Sequence, residues 1–238
     1  MKKLLFLISV LCFSVIVHAQ KQFVVDANAE QRTLNGSFNT IIVSGGIDIY
    51  LSQSDKEEIA VSAIEDHFRD GIKTVVENNV LKIYYDGEKR WNGRDRKMRA
   101  YISFKDLEKL EASGASDIVV AGKIFVPSLL LKLSGASDFK GEVMVNNLTM
   151  NLSGASDVSI SGTAIVVNIE SSGASDVKGY ELSADICTAK ASGASDVNIT
   201  VNKELNASAS GASDIFYKGS AVIRDIQSSG ASTIKRKN

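Results

Sequence analysis

The sequence predicts an all-β fold wound as a stacked solenoid, and three observations carry that prediction. A five-residue word, Ser-Gly-Ala-Ser-Asp, begins at Ser113, Ser134, Ser153, Ser172, Ser192 and Ser210 and returns as Ser-Gly-Ala-Ser-Thr at Ser229. Successive copies stand 21, 19, 19, 20, 18 and 19 residues apart, with no Pro-rich or charged linker between them. On either side of each word apolar residues recur at every second position, the periodicity of strands. A steady period of this length means that each copy is one coil and that neighbouring coils share one core.

Taken in order, the chain opens with an export leader over residues 1–19. Lys2 and Lys3 precede an apolar run from Leu4 to Val17, and Val17 and Ala19 suit a signal peptidase cutting before Gln20. Cys12 lies in this segment, but Ser9-Val10-Leu11 is a poor lipoprotein context, so no lipid anchor is expected. No second run of about twenty apolar residues follows, so no transmembrane helix is expected once the leader is removed. The periplasm, the outer cell surface or the extracellular space is the expected destination. Residues 20–238 read as one domain, an irregular β part over 20–105 followed by seven coils over 106–238.

The irregular part begins with Phe38 to Leu51, which alternates like a strand on both sides of Ser44-Gly45-Gly46-Ile47-Asp48, a worn relative of the repeat word. Ile59–Ile64, Ile72–Glu77, Val80–Tyr85 and Arg99–Phe104 read as further strands, with Asn78-Asn79 as a turn. Glu65–Asp70 reads as a short helical turn ended by Gly71. Between Lys89 and Arg99 six cations and the sole Trp crowd into eleven residues. One reading is a solvated loop. The other is an anionic-ligand patch in which Trp91 stacks while Arg90, Arg94, Arg96 and Lys97 clasp sulfate, phosphate or uronate groups.

In the coils, the position four residues after the word's glycine holds Ile118, Phe139, Val158, Val177, Val197, Ile215 and Ile234. The position four before it holds Leu110, Leu131, Met150, Ile169, Ala189, Ala207 and Ile226. Six before come Leu129, Leu148, Val167, Cys187 and Leu205, with Glu108 and Arg224 breaking the column at its ends. Such columns predict a continuous core, with like side chains stacked about 4.8 Å apart. Gly114, Gly135, Gly154, Gly173, Gly193, Gly211 and Gly230 are read as corner residues, placed where the backbone bends or nears its neighbour. Asp117, Asp138, Asp157, Asp176, Asp196 and Asp214 are read as acceptors for backbone N–H groups at the turn. The competing reading of these six carboxylates is an outward ladder collecting calcium, which needs six to eight oxygens per ion.

With the leader gone, Cys187 is the sole thiol, which excludes an internal disulfide, and its place in an apolar column makes it a small buried hydrophobe. The charge balance, 27 basic against 28 acidic residues, implies no strong electrostatic partner, and nucleic acid is not expected. His67 is the single histidine beyond the leader, and no nucleophile elbow, phosphate loop or zinc motif occurs. No catalytic residue, cofactor or metal is expected.

The leader, the Phe38-to-Leu51 opening and the tandem Ser-Gly-Ala-Ser-Asp turns together resemble the family called putative auto-transporter adhesin, head GIN domain. The resemblance covers nearly all of the chain beyond the leader. It implies a right-handed parallel β-helix of the pectin-lyase kind, a Bacteroidetes-type source and an adhesin-like role, and it brings no binding or catalytic residues. The chain differs from trimeric autotransporters, which end in a membrane-embedded barrel; Ile234 to Asn238 reads as a charged cap on the last coil. The resulting expectation is a non-catalytic, adhesin-like envelope protein presenting a rigid surface to a glycan or to an envelope or host protein. A structural component that self-associates, as a homo-oligomer, and a polysaccharide lyase or hydrolase remain as alternatives.

Overall fold

Residues 25–87 and 96–238 are described by the computed structural model. The first half contributes β1 (Glu30–Arg32), β2 (Thr40–Val43), β3 (Asp48–Gln53), β4 (Glu58–Ser62), α1 (Asp66–Gly71), β5 (Ile72–Glu77), β6 (Val80–Tyr85), β7 (Arg99–Phe104) and β8 (Lys109–Ala112). The repeat half contributes β9 (Asp117–Leu133), β10 (Asp138–Leu152), β11 (Asp157–Ser171), β12 (Asp176–Ala191), β13 (Asp196–Ala209), β14 (Asp214–Lys218), β15 (Val222–Ser228) and β16 (Thr233–Arg236). Each of the long strands β9 to β13 runs from the Asp of one word to the residue before the next. The word is thus the corner, and everything between corners is strand.

The strands stack in parallel, β9 on β10, β10 on β11, β11 on β12 and β12 on β13, in a β-solenoid of about seven turns. Their register turns the sequence columns into physical ones: Phe139 pairs with Ile118 and Val158, and Leu148 pairs with Leu129 and Val167. These side chains are buried, as are Val177, Val197, Met150, Ile169 and Leu205. Each contributes about 1.5–3 kcal/mol on leaving water, but only because a neighbouring coil covers it.

The last coil departs from the expected columns. Ile226 is 42% exposed and Ile234 is only partly buried, because among the described residues no further coil covers them. A register shift between Leu205 and Asn206 sets Ile223 opposite Leu205, so Ile223 and not Arg224 continues that column. The charged terminal residues do not fold over the open end. Lys235 and Arg236 continue as β16 along β14, the Lys237 N–H donates to the Tyr217 carbonyl at 2.8 Å, and its ammonium lies 4.0 Å from the Phe216 ring.

At the other end the chain does not wind in sequence order. β2 lies between β6 and β8, and β3 between β7 and β9, all in parallel. The coil made by β6 and β7 is therefore later in sequence but further out in the stack. Antiparallel strands close that end: β5 pairs with β6, β4 with β7 and β1 with β4. Asn78 and Asn79, at φ of 50° and 62°, supply the two left-handed residues of the β5–β6 hairpin.

Candidate binding surface

Each corner is knitted to its neighbours by two strings of side chains. In the first, the fourth residue of the word is fully buried at Ser116, Ser137, Ser156, Ser175, Ser195 and Ser213. A buried hydroxyl needs partners. Ser116 Oγ accepts from the Ile47 N–H at 3.2 Å, Ser175 Oγ from the Ser156 N–H at 3.3 Å and Ser195 Oγ from the Ser175 N–H at 3.4 Å. The hydroxyl also donates within its own word, as from Ser156 to the Ser153 carbonyl at 3.1 Å.

The second string runs the other way. Asp138 Oδ1 accepts from the Asp157 N–H at 3.2 Å, Asp176 from Asp196 at 3.3 Å and Asp214 from Thr233 at 3.0 Å, while Asp48 of the worn word accepts from Asp117 at 3.3 Å. Of the expected turn acceptors, Asp138, Asp176 and Asp214 thus bond an amide of the following coil. Burial and then the Asp138 charge raise the Asp117 carboxyl above its usual range, and burial followed by Asp176 and Asp214 raises Asp196. Among the described residues no cluster of three or more His, Cys, Asp or Glu is arranged to hold a metal ion. Cys187 is fully buried, and burial pushes its thiol up to about 12, far from a reactive thiolate.

Of the expected anionic-ligand patch, Arg90, Trp91 and Arg94 lie outside the described residues. Arg96 sits with its guanidinium 5.1 Å from the Phe68 ring and 4.8 Å from the Tyr85 ring, and Lys97 is exposed beside it at φ 46°. Arg99, from the same run of cations, is committed elsewhere: it donates to both carboxylate oxygens of Asp26, at 2.9 and 3.1 Å.

The structure brings together a second surface on the regular coils. Met144 stacks in register on Phe125, and Ile165 follows one coil on, all three exposed; Phe125 shows 64% of its surface. With Asn146, Thr163 and Asp185 they line an open groove of about 520 Å³. The Phe125 backbone is held at both its polar groups. The Gln53 side-chain amide accepts from the Phe125 N–H at 2.7 Å and donates to its carbonyl at 2.9 Å, standing in for a strand at the place where β3 ends. In the sequence these residues look like ordinary members of long strands, and the Gln53 contact spans 72 residues.

Residues 37–221 match the family described as putative auto-transporter adhesin, head GIN domain. The chain belongs to this family. Solved structures similar to this GIN-domain chain include a putative adhesin from Bacteroides fragilis, at 24% identity and a TM-score of 0.82, covering 88% of this chain and 96% of the other. A putative adhesin from Parabacteroides distasonis matches at 20% identity and a TM-score of 0.65, over 88% and 96%. A putative lipid binding protein from the same organism matches at 20% and 0.63, over 88% and 98%. At these identities the likeness establishes the shared GIN-domain fold. No curated protein matches the chain.

Proposed function

We propose that this protein is an exported, non-catalytic, adhesin-like component of the bacterial cell envelope, and that its coil stack offers the Phe125 groove to a glycan. The observation that carries the reading is an exposed aromatic and aliphatic strip, Phe125, Met144 and Ile165, pinned on a rigid parallel ladder beside the amide of Asn146 and the carboxylate of Asp185. Apolar faces stack on the C–H faces of sugars while neighbouring polar groups bond their hydroxyls. The leader-like segment at residues 1–19 supports export, and the adhesin name of the family supports a binding role. The anionic-ligand patch around Arg96 and Lys97 would add a contact for acidic sugars.

A glycan array with the purified protein tests the proposal. Binding that drops about tenfold in Phe125→Ala, with the circular dichroism unchanged, is the expected result. A blank array, or binding indifferent to both Phe125→Ala and Met144→Ala, would sink it.

A further inference from the structure

The last coil has an edge unlike any other in the fold. β15 is bonded to β13 along one side, and no strand among the described residues pairs with its other side. The register shift at Leu205 and Asn206 places both Ile223 and Ile226 on core columns, opposite Leu205 and Ala207, yet 37% and 42% of their surfaces are exposed. Exposed strand edges are ordinarily guarded by lysine, proline or a strong twist. β16 carries two like charges in Lys235 and Arg236, whereas β15 carries one charge of each sign, Arg224 and Asp225, which a second copy can match.

The sequence of β15 is complementary to itself. If a second strand Val222-Ile223-Arg224-Asp225-Ile226-Gln227 is laid antiparallel on the first about the point between Arg224 and Asp225, each Arg224 faces an Asp225 and each Ile223 faces an Ile226. Both isoleucines lie on the core side, so the facing pairs continue the core across the junction. Arg224 already donates to Glu204 at 2.6 Å and has further N–H groups to offer.

We propose that two copies of this chain join end to end through β15, related by a two-fold axis through its midpoint. Such an isologous contact satisfies itself and stops at a dimer. The contact is independent of what the Phe125 groove binds.

Sedimentation velocity over a range of concentrations tests it. The purified protein is expected to dimerise reversibly. Arg224→Asp and Asp225→Arg each set like charges across the axis and weaken association about tenfold or more, and the double exchange restores it. Ile226→Lys abolishes the dimer while circular dichroism reports intact coils. A monomer at every concentration overturns the proposal, and so does a dimer that neither single exchange weakens or that the double exchange fails to restore.

Discussion

Gly154 sits at φ 81°, and a β-carbon there would run into the backbone carbonyl of Gly135 one coil away. Gly122 has a similar φ of 74°, but a β-carbon there would meet nothing within 4 Å. The two separate strain from collision. Gly122→Ala is expected to cost about 1 kcal/mol, the ordinary penalty of a left-handed L-residue. Gly154→Ala adds a clash with backbone that cannot turn aside, and the expected loss is about 3 kcal/mol or more; urea denaturation of the two variants gives the comparison. The corner glycine was legible in the sequence because its left-handed φ is set within the word, even though the collision that also requires it comes from the adjacent coil. The buried serine beside it was legible only as a small residue, since its partners lie on adjacent coils, as Ser195 Oγ does for Ser175. Ser175→Ala therefore leaves the Ser156 N–H without its acceptor, and about 1–3 kcal/mol is expected to be lost on denaturation, although only one hydroxyl is removed.

Among elements, β1 depends most on charge. Only three residues pair it with β4, and its approach is fastened by Asp26, which accepts from the Ser62 hydroxyl at 2.8 Å and from Arg99. Burial pulls the Asp26 carboxyl upward, but hydrogen bonds from Ser62, Arg99 and Tyr101 together hold it below the ordinary value of 3.8. A carboxylate depressed in the folded state stabilises above its unfolded pKa, and that contribution disappears as the pH falls through the folded value. β1 is expected to loosen first below about pH 3.8, and in Asp26→Asn at neutral pH. Hydrogen exchange at Gln31 and Arg32 measures both; unchanged protection in the variant would contradict the latch. Nothing in the sequence announces this fastening, because Asp26 and Arg99 are 73 residues apart and Arg99 reads as one more cation in a basic run. For the same reason the Phe125 groove stayed hidden: strand alternation says which side chains leave the core, not which of them meet across coils.

For the molecule as a whole, the regular half was readable because its period, its corners and its columns all agree. The order of the first coils was not, since nothing in β6 or β7 announces that a later segment stacks outside an earlier one. Coils that touch only their neighbours should also be removable one at a time. Deleting residues 153–171 joins Leu152 to Ser172 and leaves every remaining corner complete. The shortened protein is expected to keep the same circular dichroism per residue and to unfold in one transition at a lower temperature; loss of the β spectrum would show that the stack is not modular.

The aspartates also give the stack an arrow. Asp48, Asp138 and Asp176 each accept from the amide of the aspartate one coil on, so these carboxylates all point the same way along the stack. Thr233 takes the bond from Asp214 and has no carboxylate with which to pass it on. One changed letter in the seventh word thus interrupts a polarity of hydrogen-bond acceptors that runs from corner to corner.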